Sequence, residues 1–97
     1  MTTLDKVRAL FEEGATMETV ENTYRPVLNG SKRRLTSVGR TVFSYEVLDG
    51  AHAGEKGRSE FPKRARDVVS LTDDTVTYKL GLPASAKGDH TVTLRKV

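Results

Sequence analysis

The chain has 97 residues, of which 36% are hydrophobic, 30% are charged and 6% are aromatic, and its formal net charge is +3. This length fits one domain, and the composition is too charged for a membrane protein and too apolar for a disordered chain. Cysteine is absent, which excludes a disulfide framework, a thiolate metal site and a thiol nucleophile.

The first predicted element is an N-terminal helix, because apolar residues recur at three- and four-residue spacings. Thr2 can cap its first turn, with Asp5 three residues later, and Gly14 can end it in the left-handed conformation. A second short helix is predicted from Thr16 and must end before Pro26, which lacks an amide donor. The residues that form the apolar face of the first helix are Leu4, Val7, Leu10 and Phe11.

Beyond Pro26 the hydrophobic pattern changes to a period of two, which is typical of strands. The clearest strand is 75–80, and the stretches 40–48, 68–71 and 91–95 also alternate. Weaker strand candidates are 22–28 and 34–38.

The turn between 68–71 and 75–80 predicts a register. If the two aspartates at 73 and 74 form the turn, Leu71 lies opposite Val76 and Val69 lies opposite Tyr78. Directly opposed residues share one face of a sheet, so both pairs would fall on the same apolar side.

Two glycine-containing stretches, 49–57 and 83–89, are predicted as exposed hairpin loops. The whole chain is therefore expected to be a single α+β domain, 1–97. A helix or helix pair in 1–24 would pack on an antiparallel sheet of five to six strands in 25–97, either a small twisted sheet or an SH3-like half-barrel.

No catalytic or metal-binding motif stands out. His52 and His90 fall in or beside predicted loops without a serine or carboxylate at a recognisable spacing, and we interpret both as solvated side chains. The glycines of 50–57 do not match a phosphate-binding loop, because Gly54 is followed by Glu55 rather than by lysine. We therefore predict a protein that is not an enzyme and that needs no metal or cofactor.

A helix-turn-helix reading of residues 10–20 fails for two reasons. A recognition helix should follow the second helix after a short turn, but Tyr24-Arg25-Pro26 and Asn29-Gly30 occupy that place. Residues 1–24 also hold two basic against five acidic side chains, which would repel phosphates. Two packed helices are the simpler interpretation.

The basic charge is concentrated in the middle of the chain. Residues 25–66 hold ten basic against four acidic side chains, whereas 67–97 hold four of each. If the basic residues converge in the fold, they would attract nucleic-acid phosphates without reading sequence. The predicted nucleic-acid-binding residues are Lys32, Arg33, Arg34, Arg40, Arg58, Lys63, Arg64 and Arg66.

A protein-binding module is the alternative interpretation of the same features. An exposed edge strand can pair with a partner chain, and the C-terminal strand ending at Val97 is the expected edge. The basic face would then steer the protein to an acidic host protein, because charge alone does not separate an acidic protein from DNA. Self-association through the same edge would give a homo-oligomer.

Three segments resemble small accessory proteins encoded by actinobacterial phages: ATMETVENTYRPVLNGSKRRL from Ala15 to Leu35, the later SLTDDTVTYKL, and the closing HTVTLRKV. The resemblance implies a non-enzymatic, host-modulating role and transfers no site residues. Because no apolar run reaches about 20 residues and residues 1–5 lack the features of a signal peptide, we expect a soluble protein of the (host) cytoplasm with no membrane partner.

Overall fold

The computed structural model describes residues 2–80 and 90–97, which are mostly β-structure. They contain one α-helix, two 3-10 turns at Pro26–Leu28 and Ala65–Asp67, and a single antiparallel sheet of seven strands. The predicted α+β class, with a helix pair and five to six strands or an SH3-like half-barrel, is therefore wrong. The elements are α1 (Thr3–Ala9), β1 (Thr16–Asn22), β2 (Lys32–Val38), β3 (Val42–Val47), β4 (Lys56–Glu60), β5 (Val68–Leu71), β6 (Thr75–Lys79) and β7 (Thr91–Lys96).

Helix α1 begins as the sequence predicts and ends earlier. The Thr2 hydroxyl accepts a hydrogen bond from the Asp5 amide at 3.1 Å, and the Asp5 carboxylate accepts one from the Thr2 amide at 3.2 Å. This reciprocal pair is a capping box. The helix ends at Ala9, and Gly14 instead lies in the turn before β1, where its φ of +86° suits a residue without a side chain.

The predicted second helix is wrong, because its residues form strand β1. Met17 and Thr19 face the interior and are fully buried, while β2 and β7 hydrogen-bond to the two edges of β1. Thr16, Thr19 and Val20 are β-branched and fit a pleated strand better than a helix. Pairing on both sides decides the outcome, since it satisfies backbone groups that a one- or two-turn helix would leave open.

The strand order is β4-β3-β2-β1-β7-β6-β5. Every strand lies beside its neighbour in the chain except at the β4–β5 connection, and the first strand pairs with the last. This is the order of an up-and-down barrel that is left open between β4 and β5. The Tyr78 hydroxyl of β6 donates to the Glu60 carbonyl of β4 at 3.0 Å and so spans the opening.

The sheet edges differ from the prediction. The C-terminal strand β7 lies inside the sheet between β1 and β6, so its assignment as the edge is wrong. Its alternating residues, Val92 and Leu94, are buried, and the backbone of β7 pairs with β1 on one side and β6 on the other. Within the described residues the edges are β4 and β5.

Helix α1 closes one end of the barrel, which we call the α1 end. The Phe11 ring lies 4.8 Å from that of Phe43 on β3 and 5.0 Å from that of Phe61, which follows β4. Val7 is fully buried below them. These aromatic contacts join the segment just after the helix to both sides of the β3–β4 hairpin.

In the β5–β6 hairpin, one of the two predicted residue pairs is observed. Leu71 lies opposite Val76, as predicted, but Val68 rather than Val69 lies opposite Tyr78. A bulge between residues 68 and 70 inserts one extra residue, which turns Val69 outward and leaves it 58% exposed.

The remaining strand predictions hold with small changes of boundary, with one exception, and no strand was predicted at the position of β4. The candidate strand 22–28 is wrong, because Pro26–Leu28 forms a 3-10 turn with the proline at its start. The predicted loop 49–57 ends too late, because Lys56 and Gly57 already belong to β4. The predicted loop 83–89 lies outside the described residues.

No helix within residues 2–80 and 90–97 is long and apolar enough to cross a membrane.

Candidate nucleic-acid interface

A groove of about 630 Å³ at the α1 end gathers basic side chains from three separate segments. Arg8 comes from α1, Arg40 from the β2–β3 turn, and Lys63 from the segment after β4. Arg8 is fixed in place, because its Nη2 donates to the Gly39 carbonyl at 3.2 Å and its guanidinium carbon lies 5.7 Å from the centre of the Phe61 ring. The structure thus brings two predicted residues together with one that was not predicted.

Acidic side chains partly offset this charge. Lys63 Nζ lies 3.8 Å from Glu60 Oε2, and the lysine side chain is 72% exposed. Exposed pairs of this kind contribute little free energy, so Lys63 stays available to another anion. Asp5 also lines the groove, and hydrogen bonds from the Thr2 amide and hydroxyl hold its pKa below the ordinary value. Arg40 forms no ion pair with any residue in 2–80 or 90–97.

Two further predicted residues follow Lys63 directly in the chain. Arg64 and Arg66 are exposed in the segment that leads through the second 3-10 turn to β5, and neither is ion-paired within the part of the chain that the structure describes. We define the α1-end surface as these residues together with the basic side chains of the groove: Arg8, Arg40, Lys63, Arg64 and Arg66.

Three other predicted residues lie on strands β2 and β4, at exposed positions away from this groove. Arg34 Nη2 lies 3.0 Å from Glu46 Oε1 on the neighbouring strand. Lys32 is directly opposite Glu18 of β1, and Arg58 is opposite the half-buried Ser44. Lys32 and Arg34 therefore each lie opposite a glutamate on a neighbouring strand, which interrupts the positive charge of this face.

Arg33, the eighth predicted residue, lies inside the barrel with only 4% of its surface exposed. Its Nε and Nη2 donate to the Thr19 hydroxyl at 3.0 and 2.5 Å, and its guanidinium carbon lies 4.3 Å from the centre of the Tyr45 ring. A nucleic-acid backbone outside the barrel cannot reach this group. The sequence contains an indication of this burial. Leu35 is apolar, and residues two apart share one face of a strand, so Arg33 is expected on the same face as Leu35.

Arg8 is the member of the surface that the sequence prediction missed. It lies in residues 1–24, whose net charge is negative, and the prediction was based on the basic residues of 25–66. Its helical position could have indicated its place, since it follows Leu4 by four residues and precedes Phe11 by three, beside the buried face.

The two histidines contact different residues. His52 Nδ1 lies 2.8 Å from Glu55 Oε2, and this contact, followed by that with Arg25, lowers the pKa of Glu55. His90 Nδ1 lies 3.2 Å from the Thr23 hydroxyl. Across residues 2–80 and 90–97, no three His, Asp or Glu side chains are grouped so that they could hold a metal ion.

Comparison with known proteins gives no relative. No protein-family profile, no curated protein and no solved structure matches the chain. A function for the protein therefore has to be inferred from its own residues.

Proposed function

We propose that the protein is a non-catalytic binding module of the cytoplasm that contacts nucleic acid through its phosphates, using the α1-end surface. The observation that carries the proposal is the groove in which Arg8, Arg40 and Lys63 come together from three segments. Arginine forks suit phosphate oxygens, and the exposed Arg64 and Arg66 extend the same charge along the chain.

The number of basic groups at the α1 end sets the expected strength of the interaction. Each phosphate that a protein neutralises on duplex DNA contributes about −0.9 to the slope of log K against log salt. Three to five contacts give a slope of roughly −2.7 to −4.5. All eight residues predicted from the sequence would give a steeper slope, but Arg33 is buried and Arg34 is paired with Glu46.

The test is fluorescence anisotropy of a labelled duplex of arbitrary sequence, titrated with protein between about 50 and 200 mM salt, where phosphate contacts change affinity most visibly. The double variant Arg40→Gln with Lys63→Gln should reduce the slope by about 2, since two contacts are lost. The matched control removes the same charge from the outer face of the sheet through Lys32→Gln with Arg34→Gln, and it should leave most of the binding intact.

Two results would overturn the proposal. One is the absence of any anisotropy change at the lowest salt concentration. The other is an equal loss of binding in both double variants, which would mean that net charge matters and that the α1-end surface does not. An unrelated second duplex should bind equally well, because phosphates carry no sequence information.

A second candidate is a host-modulating protein of phage type that binds a host protein through an edge strand. The observation in its favour is Val69, an apolar side chain 58% exposed on the open edge strand β5. A pull-down from host lysate with and without nuclease separates the two functions, because a protein partner survives the nuclease. Substituting Val69→Lys should then release the partner, or should dissociate a homo-oligomer if the edge pairs with a second copy.

A further inference from the structure

The end of the barrel away from α1 holds a small cavity of about 190 Å³. Side chains and backbone of β1, β2, β3, β4 and β7 surround it, together with the segment that precedes β2. Its lining combines apolar side chains with Arg25, Arg33 and two residues of β4, Arg58 and Ser59, of which Arg58 is exposed on the outer face of the strand. The apolar and aromatic side chains are Leu28, Leu80, Val92, Leu94, Tyr24 and Tyr45.

Arg33 lines this cavity as a buried charge without a carboxylate. Within the described residues its only hydrogen-bond acceptor is the Thr19 hydroxyl, which takes Nε and Nη2, and no ion pair reaches it. The Nη1 group donates to no described residue, yet no buried side-chain nitrogen is sealed off without a partner. Nη1 therefore keeps some accessible surface, and Arg33 is one of the residues that line the cavity. Burying a charge without a counter-ion is costly, so this donor favours an anion.

The surroundings disfavour the positive charge of Arg33 and would be relieved by an anion. Burial is the largest effect and lowers the pKa of the Arg33 guanidinium; Tyr45 and Tyr78 act in the opposite direction, and the nearby charge of Arg25 lowers the pKa again. Arg25 itself pairs with Glu55 at 3.3 Å, a contact in which both side chains are 42% exposed. Glu55 also contacts His52, so this carboxylate is held by Arg25 and His52 and forms no ion pair with Arg33.

The volume of the cavity and the chemistry of its walls restrict the class of anion that can bind. Ligand pockets for drug-sized molecules measure about 300–1,000 Å³, so this cavity suits a smaller molecule. A carboxylate is planar and matches a guanidinium fork. Arg25, Asn22 and Ser59 supply other polar groups of the lining. Leu28, Val92 and Leu94 offer no donors, but they can cover a short hydrocarbon body, which inorganic phosphate lacks.

We propose that the cavity binds a small organic carboxylate, whose charged head meets Arg33 and Arg25 and whose apolar body contacts the leucine and valine walls. This site is separate from the α1-end surface and does not depend on nucleic-acid binding.

The test is a titration of the whole protein, followed by heteronuclear NMR, with straight-chain carboxylates from acetate to octanoate at constant ionic strength. Binding should be saturable, with shifts at the backbone amides of residues 22–25, 33 and 45. Affinity should rise about fourfold per methylene until the cavity is full, and then fall. Inorganic phosphate and 1-hexanol should give no saturable shift at these residues.

The Arg33→Met variant should weaken hexanoate binding at least tenfold. Should that variant not fold, Arg25→Gln serves instead and should weaken binding several-fold. Arg34→Gln, next in the chain but on the outer face, is the matched control and should bind as the unchanged protein does. The proposal is overturned if phosphate saturates the same residues, if hexanol binds as well as hexanoate, or if no carboxylate saturates.

Discussion

We expect Thr19→Val to destabilise the protein by about 2 kcal/mol, although valine has nearly the shape of threonine. Thr19 is fully buried, and its hydroxyl is the acceptor for two N–H groups of Arg33. Hydrogen bonds to charged groups contribute about 1.5–3 kcal/mol each, and removing one partner leaves the other buried and unsatisfied. The two bonds share one oxygen and the added methyl is apolar, so we expect the middle of that range.

The measurement is urea unfolding followed by circular dichroism. With an m-value of about 1 kcal/mol/M, the low end for small domains, the loss lowers the midpoint by about 2 M. Thr19→Ser keeps the hydroxyl and removes one methyl, which should cost only about 1 kcal/mol. Comparing the two variants separates the contribution of the hydroxyl to the free energy of unfolding from that of the methyl group.

The decisive comparison repeats Thr19→Val in the Arg33→Met background. Without the charge no donor is left unsatisfied, so valine should there be neutral or stabilising. The coupling between the two positions should therefore be about 2 kcal/mol, as for residues in direct contact. If Thr19→Val costs the same in both backgrounds, Thr19 does not support the Arg33 charge and the reasoning fails.

Two further predictions concern contacts made by strand β4. Burial raises the pKa of Tyr78 above its ordinary value, so the free energy of unfolding should fall as pH rises past the unfolded pKa of about 10. Tyr78→Phe should remove that part of the pH dependence. At neutral pH the same variant should cost about 1 kcal/mol, because the hydrogen bond to the Glu60 carbonyl is lost. Urea midpoints from pH 7 upward check this, and an unchanged pH profile would contradict it. Gly57→Ala should cost about 1–3 kcal/mol, because its Cβ would lie 2.7 Å from the Tyr45 hydroxyl oxygen. Thermal unfolding with near-UV circular dichroism measures it, and a wild-type melting temperature would show that the ring does not cover this glycine.

The strands that the sequence predicts well are those whose alternation is uninterrupted. In β6, Val76 and Tyr78 are buried while Lys79 is exposed, and β3 buries Phe43, Tyr45 and Val47 in the same way. One face of each strand meets the core along its whole length, so local pattern and tertiary packing agree.

Strand β1 shows why the rest could not be predicted. A bulge between Thr19 and Glu21 shifts the pairing with β7, so the buried residues are Met17, Thr19 and Asn22 and no period of two is visible. Met17, Val20 and Glu21 meanwhile follow helical spacings. What makes this segment a strand is its pairing with β2 and β7, and β7 lies at the far end of the chain.

The basic run at 32–34 shows the same limit for the site. In a strand, neighbouring residues point to opposite faces, so three consecutive charges cannot form one patch. Leu35 and its partner Tyr45 fix the register of β2 against β3, and Arg33 must then point inward with Leu35. A shift by one residue would bury Lys32 and Arg34 instead, which means two charges rather than one. The observed register buries one charge instead of two. It places that charge against the ring of Tyr45 and the hydroxyl of Thr19, where an arginine can keep its proton and still present an N–H group to the cavity.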